Sequence, residues 1–192
     1  MSGLLFSTIE VTRQAFYRNA LSYAIVNLKP IVPGHVLVIP TRVVPRISDL
    51  TPNEVSNLFA SVQDIGRVIE RVYKADALTI ACQDGTAAGQ SIPHVHVHIL
   101  PRKFAGDIFE GQNDEIYPAL EKSESALPKD LQTSTTVADA GRRAGQVQTL
   151  KVDADDSRPP RTVEEMVKEA EWLKTFFESS NTAVDGESSP SK

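Results

Sequence analysis

Three of the four histidines in this 192-residue chain, His94, His96 and His98, stand at alternate positions in the string HVHVHIL. At this histidine content an H-x-H-x-H run arises by chance roughly 0.002 times per chain, so the spacing counts as signal. Imidazole titrates near pH ~6.5 and therefore keeps a neutral nitrogen lone pair at cellular pH. Such a nitrogen can ligate a metal, pass a proton or attack an electrophile. Side chains alternate faces along a strand, so the spacing predicts three imidazoles on one face of a strand over 94–100, with Val95, Val97 and Ile99 on the other. The apolar face would pack inward and leave the imidazoles looking into a cleft.

On the histidines alone two chemistries stay open. Neutral imidazoles are common zinc ligands, with Asp84 as the nearby carboxylate that could supplement them. Against that reading, the first and third residues of an extended triplet stand roughly 13 Å apart at the backbone. Nucleophilic or acid–base chemistry instead needs one ring nitrogen held by an acceptor and the other aimed at a substrate. The loop just upstream, Asp84 to Pro93, points to phosphates as that substrate. Gly85, Ala87, Ala88 and Gly89 are small enough for backbone N–H groups to approach an anion, and Gln90 and Ser91 add side-chain donors. Alone, such a loop would be only a turn. Feeding directly into the histidine run, it becomes a candidate phosphate cradle.

The elements that must position these residues are short. Leu21–Leu28 and His35–Ile39 read as two strands joined by the turn Lys29-Pro30-Ile31-Val32-Pro33-Gly34, whose prolines and glycine cannot continue a ladder. Ala77–Gln83 and His94–Leu100 are two more. Between the pairs Thr51 and Glu54 form a capping box with Pro52 at the first helical position. Val55, Leu58, Phe59, Val62, Ile65, Val68, Ile69 and Val72 then recur at helical steps. A second capping box, Thr162 with Glu165, opens a helix over 162–178. The fold class expected is α+β, an antiparallel sheet with two helices. Residues 1–121 form the domain body, and 122–161, without an aromatic residue and poor in apolar ones, read as a disordered insertion. The polar tail 179–192 reads likewise.

Composition narrows the function classes. A net charge of −5 argues against a general nucleic-acid binder. One cysteine, Cys82, excludes an internal disulfide and makes no four-ligand zinc set. Residues 1–10 show no secretory pattern, and no apolar run reaches membrane-span length. A reduced, soluble enzyme of the cytoplasm, with the nucleus as a second location, is the expectation.

At this point the sequence resembles the histidine-triad superfamily, and within it the fragile-histidine-triad branch of diadenosine polyphosphate hydrolases. The resemblance rests on LSYAIVNLKPIVPGHVLVIP at 21–40, QDGTAAGQSIPHVHVHILPRK at 83–103 and NDEIY at 113–117, with the 162–177 helix resembling the family's C-terminal helix. It implies a five-stranded antiparallel sheet with two helices, joined edge to edge with a second subunit in a homodimer. It implies hydrolysis of diadenosine triphosphate to AMP and ADP through a nucleotidyl-histidine intermediate. A divalent cation, Mg²⁺ or Mn²⁺, would sit on the substrate phosphates, with no prosthetic group and no metal held by the protein. By the same matching His96 is the nucleophile, and His98 hydrogen-bonds the phosphates. Gln90 and Ser91, with the backbone at Gly89 and Ile92, hold the polyphosphate. Asn27 meets the ribose, Gln83 lies against the nucleotide, and His35 and His94 support the rings. Tyr117 matches a tyrosine the family treats as regulatory. Two rivals share these residues: a nucleoside phosphoramidase of the sister branch, and a nucleotide-binding signalling module with slow turnover.

Overall fold

The computed structural model describes residues 3–125, 127 and 160–181. A small hairpin, β1 (Leu5–Phe6) and β2 (Ile9–Glu10), comes first. Then follow β3 (Ala15–Arg18), β4 (Ser22–Val26), β5 (Val36–Pro40), β6 (Ala77–Ala81) and β7 (Val97–Arg102). These five form one sheet in the order β3-β4-β5-β7-β6, every neighbouring pair antiparallel. With helices α1 (Pro52–Tyr73), α2 (residues 116–125) and α3 (Val163–Asn181), this is the α+β architecture expected.

β4 and β5 are buried at every residue, so the sheet centre is covered on both faces. The turn between them works because Gly34 sits at φ +80°, with the Tyr73 ring where a Cβ would go. α1 starts at its capping box: the Thr51 side chain accepts the Glu54 amide, and the Glu54 carboxylate accepts the Thr51 amide at 2.8 Å. Its apolar steps bury Leu58, Val62, Ile65 and Ile69, each stabilising by about 1.5–3 kcal/mol. The buried stripe is narrower than the apolar one, because Phe59 stays 46% exposed.

β7 alternates as a strand should. Val97 and Ile99 join the main core, whereas Leu100 joins a smaller cluster with Val32 and, from α2, Ile116 and Leu120. His98 shares the Leu100 face, so α2 lies over the side of the sheet that carries His98.

Four expectations are corrected. The histidine strand starts at Val97, not His94. Pro40 has no N–H to give, its carbonyl faces the His94 ring, and the Val95 amide goes to the Val44 carbonyl, so the β5–β7 ladder stops at Val38↔Val97. The body does not end at 121: α2 runs to 125 with Glu124 buried, and Leu127 packs into the main core. Arg161, also assigned to the insertion, is tied to Glu169 and to the Asn27 carbonyl. The final helix continues to Asn181 rather than stopping at 178. The remaining insertion and tail, 128–159 and 182–192, lie outside the described residues.

Candidate active site

His94 and His96 precede β7 and His98 lies on it, so the chain bends through the triad and the three rings do not line one strand face. The backbone fixes which nitrogen of each ring carries a proton. Ser7 donates its amide to His94 Nδ1 at 3.0 Å, so the proton of His94 is on Nε2, where it bonds the Pro40 carbonyl at 2.9 Å. His96 Nδ1 lies 2.7 Å from the His94 carbonyl and must donate to it. The Ile31 amide donates to His35 Nδ1 at 3.3 Å, which leaves His35 Nε2–H to donate to His98 Nδ1 at 2.9 Å. His98 then carries its proton on Nε2.

That atom is exceptional. Among the described residues only two buried side-chain polar atoms lack a hydrogen-bond partner, His98 Nε2 and Gln83 Oε1. A buried donor without a partner is costly, about 1–3 kcal/mol, and calls for a ligand. Near it stands Glu124 of α2, 1% exposed. Its Oε1 lies 3.1 Å from His96 Nε2 and accepts from the Ser91 amide at 3.2 Å and the Ser91 hydroxyl at 3.1 Å, while Oε2 is 3.8 Å from His98 Nε2. His96, His98 and Ser91 thus converge on one carboxylate.

Burial dominates the electrostatics of the rings. It pushes His35 down to about 3, helped by the Arg161 charge and His96. His94 falls to about 4 for the same reason, with the Pro40 bond opposing. His98 is held well below its ordinary value by burial, His35 and His96, against the pull of Glu124. Burial raises Glu124, but the hydrogen bond and charge of His96, His98 and the Ser91 amide outweigh it and hold the carboxyl at about 2.

The other expected residues are placed as follows. Gln90 is turned inward: Oε1 accepts the Gly85 amide at 3.0 Å and Nε2 donates to the Pro45 carbonyl at 2.9 Å, so its side chain braces the loop. The Gly89 and Gln90 amides close turns onto Thr86 and Gly85. Of the expected cradle, Ser91 is the residue whose amide and hydroxyl point at the triad. Gly89 adopts φ +90° with the Gln83 amide 3.1 Å from where a Cβ would be, a close approach that favours glycine. Ile92 is in the core. Asn27 is buried beside His35, its Oδ1 taken by the Lys29 amide and its carbonyl by Arg161. Asp84 is bound to Arg46 and the Ile47 amide, and does not join the triad. Tyr117 is 58% exposed.

His96, His98 and Glu124 bring ligand atoms within 4.8 Å of one another, the spacing of a metal site. The donor chemistry does not suit one: the His35 relay puts a proton, not a lone pair, on His98 Nε2. The arrangement fits an anion.

Comparison with known proteins decides the lineage: the HIT domain family model matches residues 8–105. The chain belongs to the HIT domain family. It is 51% identical over 91% of its length to the Schizosaccharomyces pombe bis(5'-nucleosyl)-tetraphosphatase (asymmetrical), covering 94% of that protein. It is 43% identical over 86% of its length to the Arabidopsis thaliana bifunctional bis(5'-adenosyl)-triphosphatase/adenylylsulfatase FHIT, covering 79% of it. Among solved structures the C. elegans NitFhit protein superposes with a TM-score of 0.61 at 32% identity over 90% of this chain, which spans 30% of that longer one.

Two participants in this HIT site escaped the sequence reading. Phe6 of the first hairpin packs edge-on against the His96 ring at 5.2 Å between centroids, from 90 residues upstream. Glu124 had a signal: Ile116, Leu120, Glu124 and Leu127 recur at helical steps, with a glutamate where the stripe demands an apolar residue.

Proposed function

We propose that this HIT protein hydrolyses dinucleoside polyphosphates, taking diadenosine triphosphate to AMP and ADP in preference to the tetraphosphate. The observation that carries the reading is the convergence of His96 Nε2, Ser91 N–H and Oγ, and the unpartnered His98 Nε2–H on an anion. The names of the relatives from S. pombe and A. thaliana, both dinucleotide hydrolases, supply the substrate class.

His96 Nδ1 donates to the His94 carbonyl, so a neutral His96 has its lone pair on Nε2. That nitrogen attacks the α-phosphorus; an N–P bond forms, the bond from phosphorus to the bridging oxygen breaks, and ADP leaves with that oxygen. Water then breaks the N–P bond, releasing AMP and the free imidazole. Ser91 and His98 Nε2–H hold the non-bridging oxygens, where fixed donors act most strongly on developing charge. His94 and His35 keep His96 and His98 in the required tautomers, the former through its main-chain carbonyl. Mg²⁺ or Mn²⁺ enters on the substrate phosphates. Gln83, whose Oε1 is the other buried side-chain polar atom without a partner among the described residues, faces the nucleotide in this reading.

The experiment is hydrolysis in ¹⁸O-water with three substrates: diadenosine triphosphate, the tetraphosphate and an adenosine phosphoramidate. Label in AMP and none in ADP, with the triphosphate fastest, supports the reading. Label in ADP removes the mechanism, a faster tetraphosphate removes the chain-length preference, and a faster phosphoramidate moves the protein to the sister activity.

The reading includes a homodimer. β6 is an edge strand with Ile80 49% exposed, the kind of edge a second sheet extends; sedimentation at monomer mass would remove it. It also includes a cytoplasmic and nuclear location, supported by a single free thiol, half-buried, and testable by imaging a tagged chain.

A further inference from the structure

Glu124 is a buried ionisable group the mechanism does not use, and it stands on the atom the mechanism needs. A carboxylate oxygen 3.1 Å from His96 Nε2 occupies the space through which an α-phosphorus would approach. A hydrogen bond between that nitrogen and a carboxylate also requires a proton between them, and the proton fills the lone pair a nucleophile would use. The same carboxylate takes the Ser91 amide and hydroxyl, both donors suited to a phosphoryl oxygen.

The fit is incomplete, and this decides the role. Glu124 Oε2 stops 3.8 Å from His98 Nε2 and leaves that proton unpaired. A phosphoryl group has more oxygens than a carboxylate and can satisfy Ser91 and His98 together. Like charge prevents the two anions from sharing the site. Release needs only the side chain to turn. Ile116 and Leu120 anchor α2 on Val32 and Leu100 before Glu124, and Leu127 packs into the main core after it, whereas the Glu124 carboxylate itself is held by polar contacts alone among those described.

We propose that Glu124 is an intramolecular competitor of substrate: its carboxylate occupies the phosphate site of the resting enzyme, covers His96 by accepting a hydrogen bond from its Nε2, and is displaced when the polyphosphate binds. This rests on the triad being the phosphate site, as in the proposed function. The competitor lowers apparent affinity by the fraction of molecules in which it is bound and leaves the chemical step untouched.

The test compares wild-type chain with E124A and E124Q, all full length. α2 keeps its apolar anchors in both variants, and matching circular dichroism and thermal unfolding check the fold. Two readouts are used. Carbethoxylation of His96 by diethylpyrocarbonate, followed by peptide mass spectrometry without nucleotide, reports cover over the ring directly; E124A is expected to react about tenfold faster, and AMP to restore protection. Steady-state hydrolysis of diadenosine triphosphate is expected to show KM lowered about three- to tenfold in E124A, less in E124Q, with kcat not reduced. Unchanged carbethoxylation in E124A overturns the proposal. So does a tenfold or larger fall in kcat at constant KM, which would make Glu124 a catalytic residue. Faster carbethoxylation in a protein that hydrolyses no dinucleotide in any variant supports the competitor and removes the substrate reading instead.

Discussion

Lowering the pH from 7 to 5 loads the unfolded chain with protons that the folded chain refuses. His35 and His94 are held at about 3 and about 4, and His98 well below its ordinary value, each chiefly by burial. In the unfolded chain all three titrate near ~6.5, so between pH 6.5 and 4 the unfolded state binds up to three more protons. Stability therefore rises with pH through this window and is lost as pH falls. For one such histidine, the step from pH 7 to 5 costs RT ln of about 25, or about 2 kcal/mol. His35 and His94 together give about 4 kcal/mol, and His98, held down by burial as well, adds to the loss in the same direction. That is a large share of the about 5–15 kcal/mol a domain possesses. Glu124, held at about 2, contributes little here, because its loss belongs to the range below its unfolded value near 4.5. Urea unfolding followed by tryptophan fluorescence at pH 7, 6 and 5 measures the effect; at about 2 kcal/mol per molar urea the midpoint should fall by about 2–3 M. H35Q should flatten the slope by about one proton. A midpoint that stays within about 0.5 M between pH 7 and 5, or rises, would refute the neutral-relay argument.

Other expectations follow from single contacts. Gly34→Ala places a methyl about 2.6 Å from the Tyr73 ring at φ +80°, and thermal unfolding should report a loss of at least ~1–3 kcal/mol. Arg161→Ala releases α3 from the Asn27 carbonyl and strips Glu169 of its cationic partner, leaving it the Tyr73 hydroxyl; urea unfolding should show a loss of about 1.5–3 kcal/mol. At alkaline pH, burial lifts Cys82 to about 11, so its contribution is intact below the unfolded thiol value near ~8.5 and is lost as pH rises from there toward 11, which denaturation at pH 8 and 10.5 checks.

What was legible in the sequence was whatever local physics alone decides. Thr51 with Glu54 and Thr162 with Glu165 specify helix starts without reference to the rest of the chain, and both boxes form. The β-branched runs at 22–26 and 36–40 can only be buried strands, and are. β3 was missed because AFYR is four residues long, ends in an exposed arginine and is held by pairing with β4 rather than by its own pattern. α2 was missed because Pro118 reads as a breaker, although within a helix's first turn its absent N–H has no intrahelical partner to lose. Its stripe was also interrupted by Glu124, and a charged residue at a core position makes a helix look like a loop until its partners are known.

The same logic separates the two halves of the site. Alternation announced three histidines with chemistry to do, but alternation assumes a strand, and the strand ends where Pro40 stops donating. Pro40 is adjacent to the triad only after β5 and β7 pair. The partners that fix each tautomer lie 63 residues away for His98 and 87 for His94, and the carboxylate on His96 lies 28 away. No local pattern carries those distances. Yet each partner is a compulsory consequence of burying an imidazole: once water is excluded, both nitrogens must find a proton donor or acceptor. His94 finds Ser7 and Pro40, and His35 finds Ile31 and His98. His96 finds the His94 carbonyl and, from α2, Glu124. His98 is left with one proton unmatched. A site in which every buried nitrogen but one is paired identifies by subtraction the atom reserved for a ligand, and that atom carries a proton, so the ligand it awaits is an anion.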